Sequence, residues 1–231
     1  MAGSGSRLRG SNDTILKPLV PLLGRPLISH TLDALTRVGV TRVHIVVGYK
    51  SEQLRPAVAA LATPQVELRF VENPDWEKQN GISLLATAAS VTPPFLLTMS
   101  DHLFDQAIID ILLADAALDE LNLATDRKLD SIFDLEDAMK VRLHHDRVIE
   151  IGKNLKDFNA IDTGLFVCPA EIFAYLECAR KNGDVSLADG VCAMAEAGKV
   201  RAIDIGEARW EDIDTPEMLR HAEQVLGKQL A

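Results

Sequence analysis

Short β-branched runs alternate with helical patterns through the first half of the chain, and this alternation is what most constrains the fold. Arg42 to Val47, Val66 to Val71 and Phe95 to Met99 are predicted strands. Helical spacing of apolar residues separates them at Pro26 to Val38 and at Ser51 to Leu61. Strand–helix–strand units with short links form right-handed crossovers. The order therefore predicts an α/β, Rossmann-like, mostly parallel sheet with helices on both faces.

The second half has a different pattern, which begins with a predicted hairpin of Met139 to Leu143 and Arg147 to Ile151. A polar interval before it, Asp126 to Asp137, is predicted to be a surface loop. The second half also contains predicted helices at 170–181 and 186–197, predicted strands at 160–167 and 200–205, and a terminal helix capped by Thr215. In the first half, two further helices are predicted at 82–89 and 106–114. No linker, repeat or low-complexity segment interrupts the chain, so we expect a single domain over residues 1–231.

Charge and composition exclude several classes of protein. The net charge is −10, which disfavours binding to a nucleic-acid backbone. The three cysteines, Cys168, Cys178 and Cys192, have a spacing that fits neither a disulfide framework nor a zinc site. The sequence has no apolar run of membrane-spanning length and no signal-peptide core, so a cytoplasmic protein without a membrane segment is expected.

The N-terminal segment is suited to a triphosphate. Gly3, Ser4 and Gly5 leave the backbone N–H groups open to an anion, and Arg7, Arg9 and Lys17 follow within a short stretch. Phosphate oxygens need close backbone approach and fixed positive charge. The alternative is a flexible, weakly basic terminus, which glycine-rich and serine-rich ends commonly form.

Two acidic segments are candidate metal ligands. Asp101 follows an apolar strand directly, where a carboxylate next to substrate phosphates can bind Mg²⁺. Strand alternation places Asp212 and Asp214 on one face and Ile213 on the other, and Asp214 is the better candidate because it directly precedes the capped helix. The alternatives are a helix N-cap at Asp101 and a solvated acidic turn at Asp212 and Asp214.

Three further positions carry polar groups in unusual places. Lys153 follows a predicted strand and a glycine, where it can meet a phosphate, although most lysines are simply solvated. Asp162 interrupts an apolar strand, which suggests contact with a polyol or a base. At Asn80-Gly81, an exposed glycine beside an amide lets a flat base approach the backbone; the alternative is an ordinary helix start.

These segments together resemble a known enzyme family. The run GSGSRLR at residues 3–9, followed by KPLVPLLGRPLI at 17–28, resembles the signature of nucleotidyltransferases that activate sugar or alcohol phosphates. The segments NGISLLATA, FLLTMSDH, IGKNLKDFNAIDTGLF and WEDIDTPEM are similar to those of CTP:inositol-1-phosphate cytidylyltransferases. The resemblance covers nearly the whole chain and implies a nucleotide-diphospho-sugar transferase type of fold, with a nucleotide-binding half at about 1–125 and an acceptor-binding half at about 126–231.

The resemblance implies a Mg²⁺-dependent transfer of a cytidylyl group from CTP to an alcohol phosphate, inositol 1-phosphate, with release of pyrophosphate. Asp101 and Asp214 match its metal ligands, and Lys153 and Asp162 match positions that face the acceptor. Arg7, Lys17 and Lys153 are the implied catalytic cations. The implied nucleotide-binding residues are Ala2, Gly3, Ser4, Gly5, Arg7, Lys17, Asn80 and Gly81.

The sequence departs from the family pattern at both ends. The family has a strand directly before the glycine loop, where this sequence has Met1 and Ala2, so the first strand of the sheet is expected to be missing. We expect the true start to lie upstream; the alternative is a truncated, non-catalytic relative. Many relatives carry a fused membrane domain that transfers the CDP-alcohol in phospholipid biosynthesis. A chain ending at Ala231 implies a separate CDP-alcohol phosphotransferase.

Three other acceptors are compatible with the same reaction, namely phosphocholine, 2-aminoethylphosphonate and a sugar 1-phosphate. A quaternary ammonium is usually bound by an aromatic cage. Aromatic residues make up only 5% of the chain, which weakens the phosphocholine alternative.

Overall fold

The predicted helices and strands are present, together with several strands that the sequence analysis did not predict. A computed structural model describes residues 2–9 and 15–227. Met1, Ala231 and the side chain of Arg9, which the sequence analysis names, lie outside this description. The strands are β1 Pro21–Leu22, β2 Arg25–Pro26, β3 Arg42–Val47, β4 Glu67–Glu72, β5 Phe95–Thr98, β6 His102–Phe104, β7 Leu121–Asp126, β8 Lys140–His144, β9 Arg147–Gly152, β10 Ala160–Cys168, β11 Val200–Asp204 and β12 Trp210–Asp212. The helices are α1 Ser6–Arg9, α2 Leu27–Arg37, α3 Ser51–Ala59, α4 Asn80–Leu85, α5 Gln106–Asp115, α6 Glu171–Ala179, α7 Leu187–Glu196 and α8 Pro216–Gly227.

Contacts within the chain divide it into two units, each built from segments of both halves of the sequence. The first unit contains the chain up to Glu77, Met99–Gln106 and the chain from Trp210 onward. The second unit contains Lys78–Thr98 and Ala107–Arg209.

In the first unit, β3 and β4 form a parallel pair and α2 and α3 cover it. The alternate residues Ile45 and Val47 of β3 are buried, as are Leu54 and Val58 of α3. Helix α2 ends before Gly39, whose φ of 84° suits a residue without a side chain. Within residues 2–9 and 15–20 the structure contains no strand.

Strands β6 and β12 form a short antiparallel ladder in the same unit. It pairs Asp212 with His102 and Trp210 with Phe104. A second apolar cluster holds this ladder against α2 and α8 through residues that include Leu27, Leu103 and Ile213. Helix α8 has the predicted cap, because the Thr215 hydroxyl accepts a hydrogen bond from the Met218 backbone N–H at 3.2 Å.

The second unit contains a six-stranded sheet in the order β5-β10-β7-β11-β9-β8, in which β8 also pairs with β10. Strands β7 and β11 are parallel, and the other pairs of this sheet are antiparallel. The sheet is therefore mixed rather than mostly parallel, because the β8–β9 hairpin and strand β10 run against their neighbours. In the described part of the chain, none of the helices has the length and apolar character to cross a membrane.

Candidate active site

Four of the predicted site residues come together in the first unit. The ammonium of Lys17 donates to Asp101 Oδ2 at 2.6 Å and also contacts Asp214 Oδ1. The guanidinium of Arg7 contacts the other oxygen of Asp214. Two carboxylates thus face one buried ammonium, and the more exposed Arg7 adds a second positive charge beside them.

The glycine loop positions Lys17. Gly5 has a φ of 60°, and a Cβ atom at this residue would lie 2.5 Å from the Lys17 Cβ. Only a glycine accommodates both conditions without strain. The loop is held in turn at Ala2, whose carbonyl accepts a hydrogen bond of 2.9 Å from the Tyr49 backbone N–H just after β3. Gly3 has open space at its Cβ position, so its backbone stays accessible.

The β6–β12 ladder brings the two carboxylates together. Asp101 directly precedes β6, and its carbonyl accepts a hydrogen bond of 3.0 Å from the Ile213 N–H. Ile213 is fully buried, and Asp212 and Asp214 flank it. Asp101 precedes a strand rather than a helix, which excludes the N-cap alternative at this residue.

Opposite charges keep Lys17 and Asp101 ionised. Burial by itself would lower the pKa of Lys17, but the carboxylates of Asp101 and Asp214 outweigh that effect and raise it. Burial also opposes ionisation of Asp101, yet the hydrogen bond with His102 and the charge of Lys17 hold its pKa well below the usual range. We infer that Lys17 is an ammonium and Asp101 a carboxylate at neutral pH.

Asp212 lies in a different electrostatic environment. Burial, together with the charges of Asp101 and Asp214, raises the pKa of Asp212 to about 6 against the opposing effect of His102. Its Oδ1 is buried and has no hydrogen-bond partner among the described residues. Asp101, His102 and Asp212 present ligand atoms within 4.8 Å of one another, so this part of the chain contains a group that could hold a metal ion.

Ser4 lies in the first unit with the rest of the glycine loop, whereas Lys153, Asp162, Asn80 and Gly81 belong to the second unit. Lys153 follows β9 and pairs with Asp137 at 2.8 Å. Asp162 lies where the pairing of β10 with β7 changes register, and its Oδ1 accepts a hydrogen bond of 2.7 Å from the Gly164 N–H. Interruptions of strand pairing such as β-bulges are common next to functional sites.

Asn80 and Gly81 have structural partners, and the prediction of an exposed glycine here is wrong. The Asn80 Oδ1 accepts a hydrogen bond of 2.8 Å from the Leu187 N–H at the start of α7. Gly81 is buried, and a Cβ atom there would lie 2.6 Å from the Val185 carbonyl oxygen and 2.9 Å from the backbone of Ser186. The absence of a side chain at Gly81 is therefore explained by helix packing, whether or not a base also approaches.

We expect Gly81→Ala to lower the free energy of unfolding by about 2 kcal/mol, because the added methyl group meets backbone that cannot rotate away. Chemical denaturation followed by circular dichroism measures this change. Gly152→Ala is the matched control, since its Cβ position has open space. If Gly81→Ala is as stable as Gly152→Ala, the packing explanation is incorrect.

His102 is a site residue that the sequence analysis did not select. Its Nδ1 lies 3.1 Å from Asp101 Oδ1, although adjacent residues of a strand point to opposite faces. The reason is that Ser100 and Asp101 form a turn and β6 begins only at His102. The sequence signal that could have identified it is that a histidine directly follows the aspartate at the end of a predicted strand.

Comparison with known proteins identifies similar chains. A family model described as "MobA-like NTP transferase domain" matches residues 1–130. A protein of Rubrobacter xylanophilus named "Bifunctional IPC transferase and DIPP synthase" is 34% identical over 229 residues, which are 98% of this chain and 51% of that protein. The chain spans about half the length of the curated relatives it matches first.

Two solved structures extend the comparison. The inositol-1-phosphate CTP transferase from T. maritima superposes with a TM-score of 0.87 at 27% identity, over 98% of this chain and 92% of that one. An apo UDP-glucose pyrophosphorylase superposes with a TM-score of 0.82 at 16% identity, over 100% and 97% of the two chains. These likenesses confirm the predicted α/β fold of the nucleotide-diphospho-sugar transferase type.

Proposed function

Since the chain belongs to the MobA-like NTP transferase domain family, we propose that it transfers a cytidylyl group from CTP to inositol 1-phosphate, giving CDP-inositol and pyrophosphate. The observation that carries the proposal is the cluster of Lys17, Arg7, Asp101 and Asp214 beside the glycine loop. The names of the similar Rubrobacter and T. maritima proteins support the choice of nucleotide and acceptor.

Asp101 and Asp214 fit a magnesium ion. Both carboxylates contact the same ammonium, so their oxygens lie within reach of one cation. Mg²⁺ prefers one or two carboxylates and takes its other ligands from phosphates and water. We propose these two residues as its ligands; when bound, Mg²⁺ offsets the charge of the phosphates and of the departing pyrophosphate.

The reaction needs no covalent enzyme intermediate. An oxygen of the acceptor phosphate attacks the α-phosphorus of CTP. The bond from that phosphorus to the oxygen bridging the α- and β-phosphates breaks, and pyrophosphate leaves with that oxygen. The attacking oxygen is already anionic, so no proton has to be removed. Catalysis then consists of positioning and charge stabilisation.

The chain's own residues supply that stabilisation. We propose that the open backbone at Gly3 and Ser4 approaches the triphosphate and that Arg7 and Lys17 bind its oxygens. Lys17 is suited to this role because its side chain lies directly against Gly5 of the glycine loop. In the second unit, Lys153 and Asp162 are proposed contacts of the acceptor phosphate and a hydroxyl group. The proposed contact of Asn80 and Gly81 with the base stays a prediction, because the contacts observed for these residues are with other parts of the protein.

An acceptor panel monitored by pyrophosphate release tests this function. Purified protein with Mg²⁺ is offered CTP, UTP, ATP or GTP together with inositol 1-phosphate, phosphocholine, 2-aminoethylphosphonate or glucose 1-phosphate. We expect release only with CTP and inositol 1-phosphate, and CDP-inositol as the product by mass spectrometry. Preference for another acceptor would contradict the proposed substrate but keep the reaction class. If no pair of nucleotide and acceptor releases pyrophosphate, the protein is a non-catalytic relative of these enzymes.

A further inference from the structure

We propose that His102 is a positioning residue that fixes the Asp101 carboxylate for metal binding through a hydrogen bond donated by its Nδ1. The inference rests on the proposed function only in that Asp101 is taken as a ligand of a divalent metal. It does not depend on which nucleotide or acceptor reacts.

The two oxygens of Asp101 have separate partners. Oδ1 lies 3.1 Å from His102 Nδ1, and Oδ2 lies 2.6 Å from the Lys17 ammonium. The same Nδ1 is 3.8 Å from Asp212 Oδ1, so a second carboxylate oxygen lies near it. Ionised carboxylates only accept hydrogen bonds, which assigns the proton of the ring to Nδ1.

The imidazole ring is held independently of the carboxylates. It stacks on the indole of Trp210 with a centroid distance of 5.7 Å and an interplanar angle of 10°. Strand β6 fixes its backbone, because the ladder with β12 places Asp212 opposite His102. The Thr31 hydroxyl also donates to the His102 carbonyl at 3.4 Å. The hydrogen-bond donor therefore has a defined direction before any ligand binds.

A carboxylate that is already oriented loses less rotational freedom when it binds a cation. Outer hydrogen-bond partners of metal ligands act in this way, and their removal typically weakens metal affinity by about 10-fold to 100-fold. Lys17 cannot replace His102 here, since its ammonium occupies the other oxygen of Asp101. His102 is thus the described residue that can hold Oδ1 while Oδ2 changes partner.

Two substitutions separate the hydrogen bond from the ring. His102→Phe keeps an aromatic ring on Trp210 but has no donor. His102→Asn loses the ring but places an amide nitrogen the same number of bonds from Cα as Nδ1. We expect the affinity for Mn²⁺, measured by calorimetry without nucleotide, to fall at least about 10-fold in His102→Phe and to stay within about 3-fold of the unmodified protein in His102→Asn.

His102→Leu is made alongside as a second donor-free side chain, so that misfolding of the Phe variant does not end the test; thermal denaturation shows which variants fold. Unchanged Mn²⁺ affinity in a folded donor-free variant would overturn the inference. Equally weakened Mn²⁺ binding in His102→Asn would also overturn the inference, since the ring and not the donor would then matter. An unmodified protein that binds no divalent metal would overturn it as well. If the affinities change as expected but CTP yields no pyrophosphate, the inference stands and the proposed function fails.

Discussion

Asp101→Asn is expected to reduce turnover at least about 10³-fold while the protein remains folded, because several kcal/mol of transition-state charge stabilisation depend on a metal-binding carboxylate. Asparagine has the same shape but no charge. Lys17 retains Asp214 as a partner in this variant, so the fold loses one ion pair rather than both. Pyrophosphate release measures turnover, and circular dichroism with thermal denaturation checks the fold.

The controls identify which second carboxylate acts with Asp101. Asp214→Asn should match Asp101→Asn if Asp214 is the other ligand. Glu52→Gln, an exposed charge change in the first turn of α3, should leave turnover unaltered. If Asp212→Asn abolishes turnover and Asp214→Asn does not, the ligands are Asp101, His102 and Asp212, and the assignment of Asp214 is wrong.

The regular elements were predictable where side-chain spacing matched burial. Helix α2 and strand β3 follow their apolar patterns closely, and Gly39 marks the end of α2. Strand β7 escaped prediction because its fully buried sequence LNLATD contains polar residues. These residues are satisfied internally, since Asn122 bonds the backbone of Ala117 and Thr125 donates to the Ile203 carbonyl. The Ile203 partner lies 78 residues away from Thr125, and local sequence patterns do not report such a contact.

The site was predictable in its charged members but not in its arrangement. Lys17, Asp101 and Asp214 stand out as residue types in unusual contexts. These three side chains are brought together by the β6–β12 ladder, whose strands have only three residues each and are too short for a sequence pattern to predict their pairing. The role of Gly81 was misjudged for a related reason, because its close neighbours Val185 and Ser186 are about a hundred residues away in sequence.

Lys17→Met is expected to have two large effects, the first on turnover. Methionine is similar in length and apolar, so packing against Gly5 is preserved while the charge is lost. Turnover should fall by about 10²-fold to 10³-fold, the usual cost of removing one stabilising donor from a transition state.

The second effect of Lys17→Met is on stability and metal binding. Removing the ammonium leaves Asp101 and Asp214 without their shared counter-ion, which should lower the free energy of unfolding by about 2 kcal/mol. The expected loss is smaller than for a fully buried ion pair, because Asp101 is partly exposed. In the unmodified protein, a cation that binds both carboxylates has to displace Lys17. We therefore expect Mg²⁺ to raise the melting temperature more in Lys17→Met than in the unmodified protein.

Lys199→Met is the matched control for Lys17→Met, because the Lys199 ammonium also contacts carboxylate oxygens, those of Glu171, but on the surface. We expect it to change neither turnover nor the response to Mg²⁺, since exposed ion pairs contribute little. If Mg²⁺ stabilises Lys17→Met no more than the unmodified protein, Lys17 and the metal do not compete for the same carboxylates. The metal would then have to bind elsewhere, and the assignment of Asp101 and Asp214 as its ligands would fail.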